Sequence, residues 1–305
     1  MHSSSPGASN NRPLIKVGFC VAYDWYFLRH ALPLVYSSAD TICLALDKDR
    51  ISWGGERFSI GERDFERFIQ ETDIDGKIIL FEEDFHKAEL TPMQNEVRQR
   101  RMMAEKLGPG GWHIQLDCDE YFLNFDQFAS YLRAKNSAKP LNVCCAWVTL
   151  YKRVPQGFLY VRPNRSEQVE FIQIATNHPD YTFGRRSGHF NHYTNHLVIH
   201  QSWARTDDEV RQKLLNWGHK NDFDGEQYFL QWSNTSFENY RSLSNFHPIQ
   251  QPLWAKLAFF PAESVDDFIR NFSWRDFPFT NRQLLLKNNR WLARVMKLLR
   301  VIRGK

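Results

Sequence analysis

The chain is poor in the features that mark specialised protein classes. It has five cysteines, Cys20, Cys43, Cys118, Cys144 and Cys145, an odd set without a CxxC pair. Neither a disulfide framework nor a thiolate zinc site is expected, and a reducing compartment fits best. No apolar stretch reaches the roughly 18 to 20 residues needed to cross a bilayer. The first apolar run is followed by VAYDWYF, which contains neither GxGxxG nor GxxxxGKS/T. That disfavours a dinucleotide dehydrogenase and a P-loop NTPase. The run Met1 to Arg12 is rich in Ser, Asn, Gly and Pro without an apolar h-region, so residues 1–12 are expected to be a disordered leader rather than a signal peptide.

What remains is an ordinary globular composition: 305 residues, 42% apolar and 24% charged. One main domain over residues 13–281 is expected, followed by a basic C-terminal segment, 282–305. That segment carries eight Lys/Arg and no acid against a whole-chain charge of +4, so the rest of the chain is net negative at −4. A basic tail on an acidic body argues against nucleic-acid binding, which needs cations on the folded surface. Within the tail, Leu285, Leu292, Val295, Leu299 and Ile302 recur at helical spacing beside Trp291, with Arg290, Arg294, Lys297 and Arg300 interspersed. Such an amphipathic helix suits an anionic membrane surface or a docked position on its own domain, and the sequence leaves both open. A cytoplasmic chain, peripheral to the inner face of the membrane, follows from the first.

The first half alternates strand and helix patterns. Strands are expected at Leu14–Ala22, Thr41–Leu46, Lys77–Phe81 and Trp112–Leu116, with helices at Trp25–Tyr36, Arg63–Gln70 and Met93–Leu107, the last stopped by Gly108-Pro109-Gly110-Gly111. This rhythm predicts an α/β fold with a mostly parallel central sheet flanked by helices. Ligands on such sheets lie beyond the carboxyl ends of the strands. The residues there are Tyr23-Asp24, Asp47 with Asp49, Glu82-Glu83-Asp84, and Asp117-Cys118-Asp119-Glu120. On an extended chain Asp117 and Asp119 point the same way, and two converged carboxylates hold a hard divalent cation that neutralises a diphosphate.

Asp117-Cys118-Asp119 after LGPGGWHIQL resembles the DxD motif of nucleotide-sugar-dependent glycosyltransferases of the GT-A fold, in the broad neighbourhood of family 2. The resemblance covers roughly residues 14–125. It implies a GT-A-like, Rossmann-like fold with a nucleotide over Tyr23 and Asp24, a base-reading acid at Asp47, and arginines at Arg98 and Arg101 of the helix before the DxD. Further on, the strand NHLVIHQSW, Lys213 and His219 resemble the HxSW…K…H segment of several GT-A groups. By that match His200 completes a metal site with Asp117 and Asp119, for Mn²⁺ or Mg²⁺, while Lys213 and His219 face the donor phosphates. The resemblance implies a transferase that moves a sugar from a nucleotide donor to a glycan or lipid-linked acceptor with inversion.

An inverting transfer needs a separate carboxylate as base, and the ED-like pair of family 2 has no clean copy here. Asp180 and Asp224 are the candidates, with Asp222 and Glu226 beside them. His189, His192 and His196 at spacings of three and four fit a helical zinc face, but an acceptor-facing loop or ordinary packing is the expectation. Trp147, Trp203, Trp217 and Trp232 are near the candidate segments and offer stacking faces for a sugar. Two other classes fit the same acids and aromatics: a nucleotidyl- or phosphotransferase, and a non-catalytic carbohydrate-binding protein.

Overall fold

The computed structural model describes residues 12–135, 137–164, 169–273, 279–292 and 295. Residues 1–11 of the expected leader, and all of the tail beyond Leu292 except Val295, lie outside the described residues. The chain is an α/β fold on a ten-stranded mixed sheet. Four parallel strands form its N-terminal part: β1 (Ile15–Val21), β2 (Thr41–Asp47), β3 (Ile78–Glu83) and β4 (Trp112–Asp117), in spatial order β3-β2-β1-β4. They coincide with the four strands expected from the sequence. Between them come α1 (Leu28–Tyr36), entered through a 3₁₀ turn at Trp25–Phe27, then α2 (Glu62–Thr72) and α3 (Pro92–Leu107).

Strand alternation sorts the helices onto both faces. Val17, Phe19, Ile42 and Leu44 join Leu28, Leu32 and Val35 of α1 in the main core. The intervening Cys20, Cys43 and Ala45 pack with Met103 and Leu107 of α3. Gly18 is needed on that second face, because a Cβ there would stand 2.6 Å from Met103 Sδ. The close approach of α3 brings its buried side, Asn95, Gln99, Arg100 and Met103, against the strands.

The sheet is not mostly parallel, as the rhythm of the first half suggested. After β5 (Glu120–Phe122) and α4 (Phe125–Ala134) the strand–helix alternation stops. The long β6 (Leu141–Val154) turns through Pro155-Gln156 into β7 (Gly157–Arg162), a connection too short for a parallel crossover. β8 (Phe171–Thr176) runs antiparallel between β4 and β6, and β10 (Lys256–Pro261) closes the edge beside β7. β9 (Phe190–His200) pairs parallel with β6 and antiparallel with β5. A second core gathers Trp203, Tyr228, Trp232 and Trp254 around α5 (Asp207–Asn216) and α6 (Gly225–Ser233).

Two short helices follow, α7 (Val265–Asn271) and α8 (Asn281–Lys287). Just past α8, the Asn288 side chain accepts from Tyr193 N at 2.7 Å and donates to Tyr193 O at 2.8 Å, which pins the start of the basic segment to β9. Leu284 is buried while Leu285 and Trp291 are 71% and 69% exposed. No helix among the described residues is long and apolar enough to cross a membrane.

Candidate functional site

A cavity of about 450 Å³ opens along the carboxyl ends of the parallel strands. Its wall runs from Asp47, Trp53 and Phe58 near β2, through Tyr23, Asp24, Asp117 and Asp119, to Trp147 on β6 and Glu170 just before β8. In the order β2-β1-β4-β8-β6 this crosses four inter-strand spacings, about 19 Å. That is long enough for an extended ligand with chemically distinct ends.

Asp119 is the electrostatic centre. The β5–β9 ladder sets Glu120 opposite His200, and Gln201 N donates to Asp119 O at 2.9 Å, so the acid and the imidazole are neighbours by register. Asp119 Oδ2 stands 2.5 Å from Arg205 Nη2, 3.1 Å from Lys213 Nζ and 3.5 Å from His200 Nε2. Burial would raise this carboxyl, but Lys213, His200 and Arg205 outweigh it and hold the group well below the ordinary carboxylate range. Arg205 also reaches Asp24 Oδ2 at 2.9 Å. Burial lifts Asp24 above its usual value, with Arg205 opposing. The His200 ring lies on the Trp147 indole, 4.3 Å between centroids and 15° from parallel.

Asp117 belongs to a different set of cations. Arg100 of α3 donates to Oδ1 at 2.7 Å and Arg185 to Oδ2 at 3.0 Å. Arg185 also makes two bonds to the fully buried Glu120, at 2.7 and 2.6 Å. Cys118 and Asp119 form a turn between β4 and β5, so the two-residue alternation expected across the DxD is broken there. Both aspartates line the cavity, yet neither shares a salt-bridge partner with the other. Asp117, Asp119 and His200 do not form a close three-ligand group. Among the described residues only His178, Asp180 and His189 bring three such ligand atoms within 4.8 Å of one another.

The other expected residues divide between the cavity and its exterior. Tyr23, Asp24, Asp47, Lys213 and His219 line it. Asp47 is fully engaged: Oδ1 accepts from Asp49 N and Ile51 N, and Oδ2 from Phe85 N and His86 N, all at 3.0 to 3.1 Å. It shapes the loops around the cavity mouth and has no bonding capacity left on its in-plane lone pairs for a base. His219 Nδ1 donates to Asp222 Oδ2, 2.6 Å away, and Asp222 also lines the cavity. Arg98 and Arg101 do not line it. They lie off the buried side of α3, donating to Asp84 O and Tyr181 O, and the α3 arginine that reaches the DxD is Arg100.

The two base candidates are outside as well. Asp180 is 60% exposed beside Arg101 at 4.0 Å. Asp224 caps α6 by accepting from Gln227 N, and Glu226 is 79% exposed beside Arg211. Asp222, which His219 engages, and Glu170 do line the cavity, and Glu170 accepts from Trp254 Nε1 at 2.7 Å. Burial pushes Glu170 up to about 7, with Trp254 and Arg186 opposing. The cysteine thiols in the wall are inert: burial pushes Cys20 up to about 12 and raises Cys118 well above its usual value.

Of the tryptophans, Trp147 and Trp217 line the cavity, while Trp203 and Trp232 are core. His192 and His196 lie on β9, not on a helix, and pack against Tyr131. Sequence patterns missed Arg100, Arg185, Arg205 and Glu170. No protein-family model matches the chain, and no curated protein matches it.

Proposed function

We propose that the chain is a nucleotide-sugar-dependent glycosyltransferase with a GT-A-like arrangement, transferring a sugar to a glycan or lipid-linked acceptor. The observation that carries this reading is the elongated cavity at the strand ends, where Asp119 and His200 lie side by side with Lys213. Strand order separates its ends. Tyr23, Trp53 and Phe58 offer aromatic surface for a nucleoside over β1 and β2, while Trp147 and Glu170 lie across β4 on the acceptor side.

Cations on the wall between these ends, Arg185, Arg186 and Lys213, stabilise the departing diphosphate. Asp119 and His200 would hold Mn²⁺ or Mg²⁺, because among the described residues Arg205 and Lys213 bind only the Oδ2 of Asp119, whereas Arg100 and Arg185 bind both oxygens of Asp117 and keep it apart. Such an ion, when bound, supplies Lewis-acid stabilisation of the leaving group. Glu170 takes the proton from the attacking acceptor hydroxyl, and Trp147 offers the sugar a stacking face. A single displacement of this kind inverts the anomeric centre. The basic segment from residue 282 onward would hold the enzyme near a lipid-linked acceptor at an anionic surface.

The test is release of nucleoside diphosphate from UDP-, GDP-, CDP- and TDP-sugars, with Mn²⁺ and with EDTA, set against phosphate or pyrophosphate release from nucleoside triphosphates. Manganese-dependent turnover of one nucleotide sugar is expected. Turnover of triphosphates alone would replace this reading by a nucleotidyl- or phosphotransferase, and sugar binding without any turnover by a carbohydrate-binding protein.

A further inference from the structure

The connection from β8 to β9, residues 177–189, delivers Arg185 to Asp117 and Glu120. Its two ends meet at the surface. His178 follows β8 by two residues, His189 immediately precedes β9, and together with Asp180 they place ligand atoms within 4.8 Å of one another. The two imidazoles meet edge to face, 4.9 Å between centroids. His189 Nε2 is buried without a hydrogen-bond partner, a state that costs free energy unless something supplies one. Asp180 is not committed elsewhere: its ion pair with Arg101 is 4.0 Å long and exposed, a geometry worth little.

We infer that His178, Asp180 and His189 form a zinc site that closes the 178–189 loop and steadies Arg185. Two imidazoles and one carboxylate suit a borderline ion such as Zn²⁺ far better than Mg²⁺ or Ca²⁺, which prefer oxygen cages. Tetrahedral zinc with ligand bonds of roughly 2.1 Å holds its donors about 3.4 Å apart, so drawing these atoms together takes only side-chain rotation. Water completes the coordination. The site is separate from Asp119 and His200, and this inference does not depend on the transferase reading.

The experiment uses the full-length protein stripped with EDTA and titrated calorimetrically with ZnCl₂, in a His200→Ala background that removes the Asp119–His200 pair of the cavity. One equivalent of Zn²⁺ is expected to bind. His178→Ala and Asp180→Asn, both at exposed positions, are each expected to weaken it at least tenfold. Zinc should also slow tryptic cleavage after the exposed Arg186, and His178→Ala should abolish that protection. Absence of binding, or binding that neither variant weakens, overturns the site. Binding that leaves cleavage after Arg186 unchanged overturns its role in closing the loop.

Discussion

Replacing Asp119 by alanine removes one carboxylate oxygen from three cationic or ionisable partners. Arg205 keeps Asp24 at 2.9 Å, but Lys213 has no other salt bridge among the described residues and is 8% exposed. Breaking a buried pair from one side typically costs about 3–5 kcal/mol, because the orphaned charge has neither water nor a counter-ion. At about 2 °C per kcal/mol for a large domain, the melting temperature should fall by roughly 6–10 °C. Adding Lys213→Met to Asp119→Ala removes the orphan and should recover at least about 1 kcal/mol, a coupling that a double-mutant cycle reads directly. Thermal or urea unfolding of the four proteins is the assay. An Asp119→Ala variant as stable as wild type, or a double variant with purely additive losses, would refute the assignment of Asp119 as the charge that holds Lys213 in the cavity.

Glu170→Gln should lower the transfer rate by about 10²–10⁴-fold, the usual worth of a general base, and flatten a wild-type rate that climbs with pH to a plateau above about 7; a variant with the wild-type profile excludes the role. The same substitution has a stability signature. The folded Glu170 titrates near 7, above its ordinary 4.5, so the native state binds more protons across that window and loses up to about 3 kcal/mol as the pH rises through it. Glu170→Gln should therefore gain on wild type between pH 4.5 and 7 in unfolding experiments, and parallel curves would contradict the raised value. Lys213→Ala should weaken nucleoside diphosphate binding about 10- to 100-fold by calorimetry, whereas Arg101→Ala, outside the cavity, should leave it unchanged. Truncation after Leu292 removes five of the eight tail cations and should reduce co-sedimentation with anionic vesicles; undiminished binding would dismiss the membrane role.

The parallel half of the fold was legible because its central strands β1 and β2 are buried on both faces and read as continuous apolar runs. IKVGFCV and TICLALD are bounded by polar strand ends, and α3 announces itself by a Thr91–Gln94 capping box and a glycine stop. The antiparallel half was not. β6, β8 and β9 owe their pairing to contacts between residues far apart in sequence, which no local period encodes. The same holds for the site. Asp119 and His200 could be placed together by motif, and the β5–β9 register puts them there. Arg100 was hidden among three arginines at 98, 100 and 101, because the helical face that turns inward depends on Gly18 admitting Met103. Arg185, Arg205 and Glu170 lie in segments without strong periodicity, and their roles arise from burial beside a partner, a property of the folded chain alone.

The central claim is that this cavity receives a nucleoside diphosphate joined to a sugar. Its most direct test is a thermal-shift panel of UDP-, GDP-, CDP- and TDP-sugars on the intact protein, with and without Mn²⁺, since a ligand that binds only the native state raises its melting temperature. The account predicts a rise for at least one nucleotide sugar, larger with Mn²⁺ and lost in Lys213→Ala; no rise with any member of the panel, in either condition, would contradict it.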